Sequence, residues 1–155
     1  MPSVKLCIKV APFVLRRSES IRMAKPEHID FDKKLWIPLA APVIKLLELA
    51  VGQSEGEYLF NSSRPHRPLS VNTQNIALRS LGIDKNPQVF HGFRSSFATL
   101  SREHCRLPGD LIEWQLGYIE SDQEQVAYDR SQRIEERREM MEKWSNYLAE
   151  FQHLK

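Results

Sequence analysis

Apolar residues in the second half of the chain recur at three- and four-residue intervals. Phe90, Phe93, Phe97 and Leu100 form one such series, and Ile134, Met141, Trp144, Leu148 and Phe151 trace a longer one. Residues at this spacing fall on one face of a helix, whereas a half-buried strand would need strict alternation. A chain with two such stripes must bury them against other helices, so the expected fold is mainly α. The far side of the second stripe is charged, with Glu139 and Lys143 at i,i+4 spacing.

The remaining segments read around that frame. Val4 to Leu15 is apolar enough for a buried helix that Pro12 bends or ends. Pro42 to Val51 predicts a helix with proline near its start and Gly52 just past its end. Ser70 to Leu81 predicts a helix capped by Ser70 and stopped by Gly82, and Asp110 to Leu116 one capped by Asp110 and closed by Gly117. Ile29 to Asp32 alternates, then Lys33 and Lys34 lead into Leu35-Trp36-Ile37, the pattern of a short hairpin. Glu57 to Phe60 reads as a short buried strand or turn, and Asn61 to Pro68 as an exposed loop. The fold class expected is therefore α+β, mainly helical with a small antiparallel sheet.

A length of 155 residues, 41% of them apolar and 27% charged, is that of one ordinary globular domain. The longest apolar run, Pro42 to Val51, is broken by Lys45 and Glu48 and is too short to span a bilayer. The start Met1-Pro2-Ser3 has no secretory pattern, and Cys7 and Cys105 stand too far apart to frame a disulfide scaffold. A reduced, cytoplasmic protein is expected, with no membrane partner. Neither the histidines nor the cysteines have metal-ligand spacing, and no cofactor motif occurs, so no metal, cofactor or small-molecule substrate is expected. Net charge is only +2, but basic residues cluster at Arg16, Arg17, Arg22 and Lys25 and again at Arg64, His66 and Arg67. Such clusters bind phosphates even when total charge is modest, though solvated surface charge is the commoner fate of either one alone.

The sharpest motif is His91-Gly92-Phe93-Arg94. Positions i and i+3 share a helix face, pairing an imidazole that moves protons near neutral pH with a guanidinium that forks onto phosphate oxygens. The pattern is short and common, and weighs little alone. Its surroundings weigh more: HGFRSSFAT from His91 to Thr99, then Leu111-Ile112-Glu113-Trp114-Gln115-Leu116-Gly117, then Val126-Ala127-Tyr128-Asp129-Arg130, and Ile134 to Arg138 with Met140-Met141 through Leu148. This series resembles the tyrosine recombinase (phage integrase) family, in particular integrases of satellite phages and prophages. The likeness covers most of the chain and is strongest from Gln88 onward. Ala11 to Val14, Ser20 to Ala24 and His28 to Phe31 resemble the family's first arginine motif and following strand. That register puts Arg17 at the first catalytic arginine, with Arg16 the neighbouring alternative.

The resemblance implies the family's catalytic-domain fold, one such domain over residues 1–155 without the family's N-terminal core-binding domain, and double-stranded DNA carrying an attachment site as partner. It implies site-specific integration by DNA cleavage and rejoining through a 3′-phosphotyrosine, with homo-oligomers on DNA. The catalytic residues it implies are Arg17, His91, Arg94, Tyr118 and Tyr128. Arginines stabilise charge on the attacked phosphate, and Tyr128, a phenol of ordinary pKa about 10, needs a helper such as His91. Besides the expected lack of the core-binding domain, three further departures bear on activity. The hairpin near residues 36–38 that carries the family's general-acid lysine is missing, Tyr118 stands where His or Trp is usual, and Ser20 replaces an acidic residue. Three readings therefore stay open: an active strand transferase, an inactive prophage integrase remnant, or a DNA-binding or protein-interaction module whose C-terminal stripe docks on a neighbour or packs at home.

Overall fold

A computed structural model describes residues 2–29, 38–64, 66–83, 89–117 and 133–151. Among these lie seven α-helices: α1 (Pro2–Val14), α2 (Ser18–Arg22), α3 (Ala41–Gly52), α4 (Thr73–Ser80), α5 (Gly92–Glu103), α6 (Gly109–Leu116) and α7 (Ile134–Glu150). The mainly helical expectation holds. The small antiparallel sheet is not found among the described residues, whose only β pairing is an isolated antiparallel bridge between Asn61 and Pro68. Of the expected hairpin, residues 30–37 lie outside the described part, Lys33 and Lys34 with them. Glu57 to Phe60 is a run of bends, held in place because Leu59 N–H donates to Ala24 O at 2.7 Å while Leu59 and Phe60 are buried.

Two apolar clusters form the interior. The first gathers Val10 and Val14 of α1, Val43 and Leu47 of α3, Leu78 of α4, and Phe60 and Leu69 from the connecting loop. The second gathers Leu15, Phe97 of α5, Ile112 and Leu116 of α6, and Met141 and Trp144 of α7. α1 serves both, because its body lies in the first cluster and the residue after it, Leu15, in the second. Trp144 completes the join: its ring meets Phe97 edge-on at 5.1 Å and its indole N–H donates to Pro12 O at 2.9 Å. That carbonyl belongs to the last turn of α1, which has no helical donor ahead of it. The C-terminal stripe thus packs at home through Met141 and Trp144, leaving Phe151 48% exposed at its tip.

Helix ends follow the sequence closely in some places and not in others. Gly82 (φ +80°) and Gly117 (φ +69°) end α4 and α6 in the left-handed conformation that only glycine adopts without strain. Ser70 does not cap α4: the helix begins three residues later, after Asn72, and the Ser70 hydroxyl meets Thr73 Oγ1 instead. Asp110 is likewise not the cap of α6, because Pro108 holds that place and Asp110 sits in the first turn. Phe90 precedes α5 in a turn, where it is buried and packs edge-on against Phe93. Pro12 is housed inside α1, near its end, without breaking it.

Trp144 carries both apolar burial and a hydrogen bond that links the clusters. Trp144→Ala is expected to cost about 3–5 kcal/mol of unfolding free energy, the range for a buried aromatic. Chemical denaturation with matched m-values checks this, and a loss near that of a surface substitution would contradict the packing.

Candidate functional site

Of the expected site residues, Arg17, His91 and Arg94 are described, and they lie on segments that meet at one junction. α1 ends at Val14, and Leu15 turns sharply with φ +54°, a left-handed conformation costly for a side chain with a Cβ. Arg16 and Arg17 follow, and Arg17 takes the N-cap position of α2 in extended conformation. The second segment is the start of α5, with His91 at its N-cap and Arg94 in its first turn. The third is the end of α6 at Leu116 and Gly117.

Arg94 ties the three together. Its Nη1 donates to Leu15 O at 2.5 Å and its Nη2 to Leu116 O at 2.6 Å, and the residue is only 3% exposed. Both acceptors lie at helix C-termini, where carbonyls lack helical donors and the helix dipole is negative. A buried guanidinium is tolerable there because it is held by charge-assisted hydrogen bonds. Arg16, half-buried, completes the junction from the other side. A Cβ built on Gly117 would stand 3.7 Å from Arg16 Nη1, so the Arg16 side chain reaches across to the end of α6.

Arg17 and His91 are both exposed. His91 and Arg94 were expected to share one face, but they differ in burial: His91 is exposed, whereas Arg94 is buried on the two carbonyls. Tyr118 and Tyr128 lie outside the described residues. Tyr118 directly follows Gly117, so the clasp on Leu116 holds the chain two residues before it. Of the first basic cluster, Lys25 is paired with Glu57 at 2.6 Å, and that carboxylate raises the ammonium's pKa. Arg22 donates from Nη1 to Leu69 O at 3.3 Å. The second cluster, Arg64, His66 and Arg67, is exposed on the loop closed by the Asn61–Pro68 bridge.

Sequence reasoning missed the polar pairs behind this junction. Arg137 of α7 donates from Nε and Nη2 to Gln115 Oε1 at 3.0 and 2.9 Å, fixing α6 against α7, and both residues are buried. Arg133, just before α7, pairs with Asp110 at 2.5 Å. Gln74 is fully buried in α4 and bonds to Ser18 and Cys7. Its signal was available, since Gln74 stands one turn before Leu78 on the apolar face of α4. Among the described residues no group of three metal-ligating side chains is placed to hold an ion, and no helix is long and apolar enough to cross a membrane.

Comparison with known proteins gives the class of protein to which this junction belongs. The integrase of Enterobacteria phage P4 is 29% identical over 174 residues, covering 93% of this chain and 40% of that protein. Prophage integrase IntA of Escherichia coli is 31% identical over 141 residues, covering 81% of this chain and 34% of that protein. The integrase of Shigella phage Sf6 is 25% identical over 162 residues, covering 94% and 42%. The chain belongs to the phage integrase family. It spans well under half the length of these three relatives. No family model and no solved structure matches it.

The Arg133 guanidinium holds the Asp110 carboxyl below the usual aspartate range. A depressed folded-state pKa contributes stability above the unfolded value of about 3.9, and that contribution is lost as pH falls through the folded value. Both side chains are partly exposed, so at pH 7 Asp110→Asn is expected to cost under about 1 kcal/mol. The difference from wild type should shrink in high salt and vanish below the carboxylate range, which denaturation at several pH values checks.

Proposed function

We propose that the chain carries out site-specific DNA integration by cutting and rejoining strands through a 3′-phosphotyrosine. The observation that carries this reading is the Arg94 clasp. One guanidinium gathers the turn that leads to Arg17, the first turn of α5 with His91, and the chain just before Tyr118. The relatives named as integrases support it.

In this reading double-stranded DNA with an attachment-site-like sequence lies across the junction, and copies of the chain assemble on it. Arg17 and Arg94 stabilise the charge that builds on the non-bridging oxygens of the attacked phosphate. Tyr128 Oη attacks phosphorus, the bond to the 5′ oxygen breaks, and the phosphodiester energy is kept in the tyrosyl link for rejoining. His91, exposed at the N-cap of α5, assists the phenol's deprotonation, and Tyr118 donates a hydrogen bond to phosphate. The departing 5′ oxygen needs a proton, for which Lys33 and Lys34 are the candidates. Without a positioned acid the rate falls by roughly 10² to 10⁴.

One observation favours a second reading, in which the chain keeps the fold and binds DNA without cutting it. Arg94 is buried on two backbone carbonyls, so its guanidinium serves the fold whether or not chemistry occurs. Covalent trapping separates the two. Nicked suicide duplexes spanning varied attachment-like sequences should yield a denaturation-resistant protein–DNA adduct that Tyr128→Phe abolishes. DNA binding by a folded protein with no adduct on any of them would favour the second reading.

A further inference from the structure

α2 is only five residues long, has no side-chain cap at its start, and buries a single residue, Ile21. A helix this short does not hold its own position in water. Its place must come from contacts with neighbours, and polar contacts stitch it at both ends to the region of α4. At its back end Arg22 Nη1 donates to Leu69 O at 3.3 Å. At its front end the hydroxyl of Ser18, the residue next to Arg17, donates to Gln74 Oε1. Gln74 Nε2 in turn donates to Cys7 Sγ of α1 at 3.3 Å.

Gln74 and Cys7 are both fully inaccessible to solvent. Burial pushes the Cys7 thiol up to about 11, so it remains a neutral, fixed acceptor for the amide. A buried amide is costly unless both its ends are satisfied, and here each end has one defined partner. The arrangement therefore has one low-energy geometry, and that geometry fixes Ser18 relative to α1 and α4. Arg17, joined to Ser18 by one peptide bond and held extended at φ −60°, ψ 146°, inherits the position.

We infer that Gln74 is a positioning residue: through Ser18 it holds Arg17 where its guanidinium meets a DNA phosphate. This rests on the proposed reading of Arg17 as a phosphate contact, and goes beyond it by naming what aims that contact from the core. Gln74 itself touches no DNA, and replacing it by methionine changes neither charge nor length greatly.

The test uses a mixed-sequence DNA duplex and the slope of log affinity against log salt, which counts phosphate contacts at about 0.9 per contact on duplex DNA. Arg17→Ala should flatten the slope by about one contact. Gln74→Met should flatten it equally although no charge is lost, and the double variant should fall no further. Circular dichroism and thermal melting establish that each variant is folded. Should Gln74→Met not fold, Ser18→Ala removes the link with the core glutamine left in place, and the same flattening is expected. A folded Gln74→Met or Ser18→Ala with the wild-type slope, beside a flattened Arg17→Ala, overturns the positioning role alone. An unchanged slope in Arg17→Ala overturns the phosphate role of Arg17 and the inference with it.

Discussion

Two helices of this chain end at the same guanidinium. α1 and α6 each leave carbonyls without helical partners at their C-termini, and Arg94 supplies a charge-assisted donor to one carbonyl of each. The consequence is mechanical as well as electrostatic. α1 is the helix shared by both apolar clusters, and α6 packs on α7, so the clasp sets how the two halves of the interior meet. It also holds Leu15 in a left-handed turn that an ordinary leucine would leave, and the next residue, Arg16, reaches across to the end of α6. Trp144 serves the same helix end through Pro12 O, three residues before Leu15 in the chain.

In the proposed reading, a site built this way couples stability to phosphate chemistry. The cation that neutralises two helix ends is the one the family resemblance assigns to the attacked phosphate. The neighbouring polar pairs extend the same device outward. Arg137 on Gln115 fixes α7 to α6, and the Glu142 carboxylate accepts from Ala41 N–H at 3.2 Å, placing negative charge at the start of α3. Lys25 and Arg22, which look like phosphate ligands in the sequence, instead fasten the α2 region to the loop over residues 57–69.

The helices were legible because apolar spacing and terminal glycines are local signals. Gly82 and Gly117 announce their stops, and the stripe of Met141 and Trp144 announces its burial. Ser70 and Asp110 misled, because a polar residue near a helix start satisfies its side chain wherever tertiary geometry offers a partner: Thr73 in one case, Arg133 in the other. The inward turn of Arg94 had no sequence signature at all. Its acceptors are backbone carbonyls, which every residue carries, and only the meeting of α1 with α6 selects Leu15 and Leu116. The same holds for Leu15, whose left-handed turn would ordinarily be marked by glycine. The family resemblance pointed to Arg17, His91 and Arg94 but gave no warning that His91 is exposed while Arg94 is buried.

The central claim is that the Arg94 guanidinium joins two helix ends, and Arg94→Met tests it most directly, since methionine keeps much of the length and loses every donor. Two buried carbonyls would then lack their partner, each at a cost of about 1–3 kcal/mol. The account predicts that equilibrium denaturation shows a loss of roughly 2–5 kcal/mol. A variant within about 0.5 kcal/mol of wild type, the usual range of a surface substitution, would mean that Arg94 does not hold those carbonyls and that the junction is built some other way.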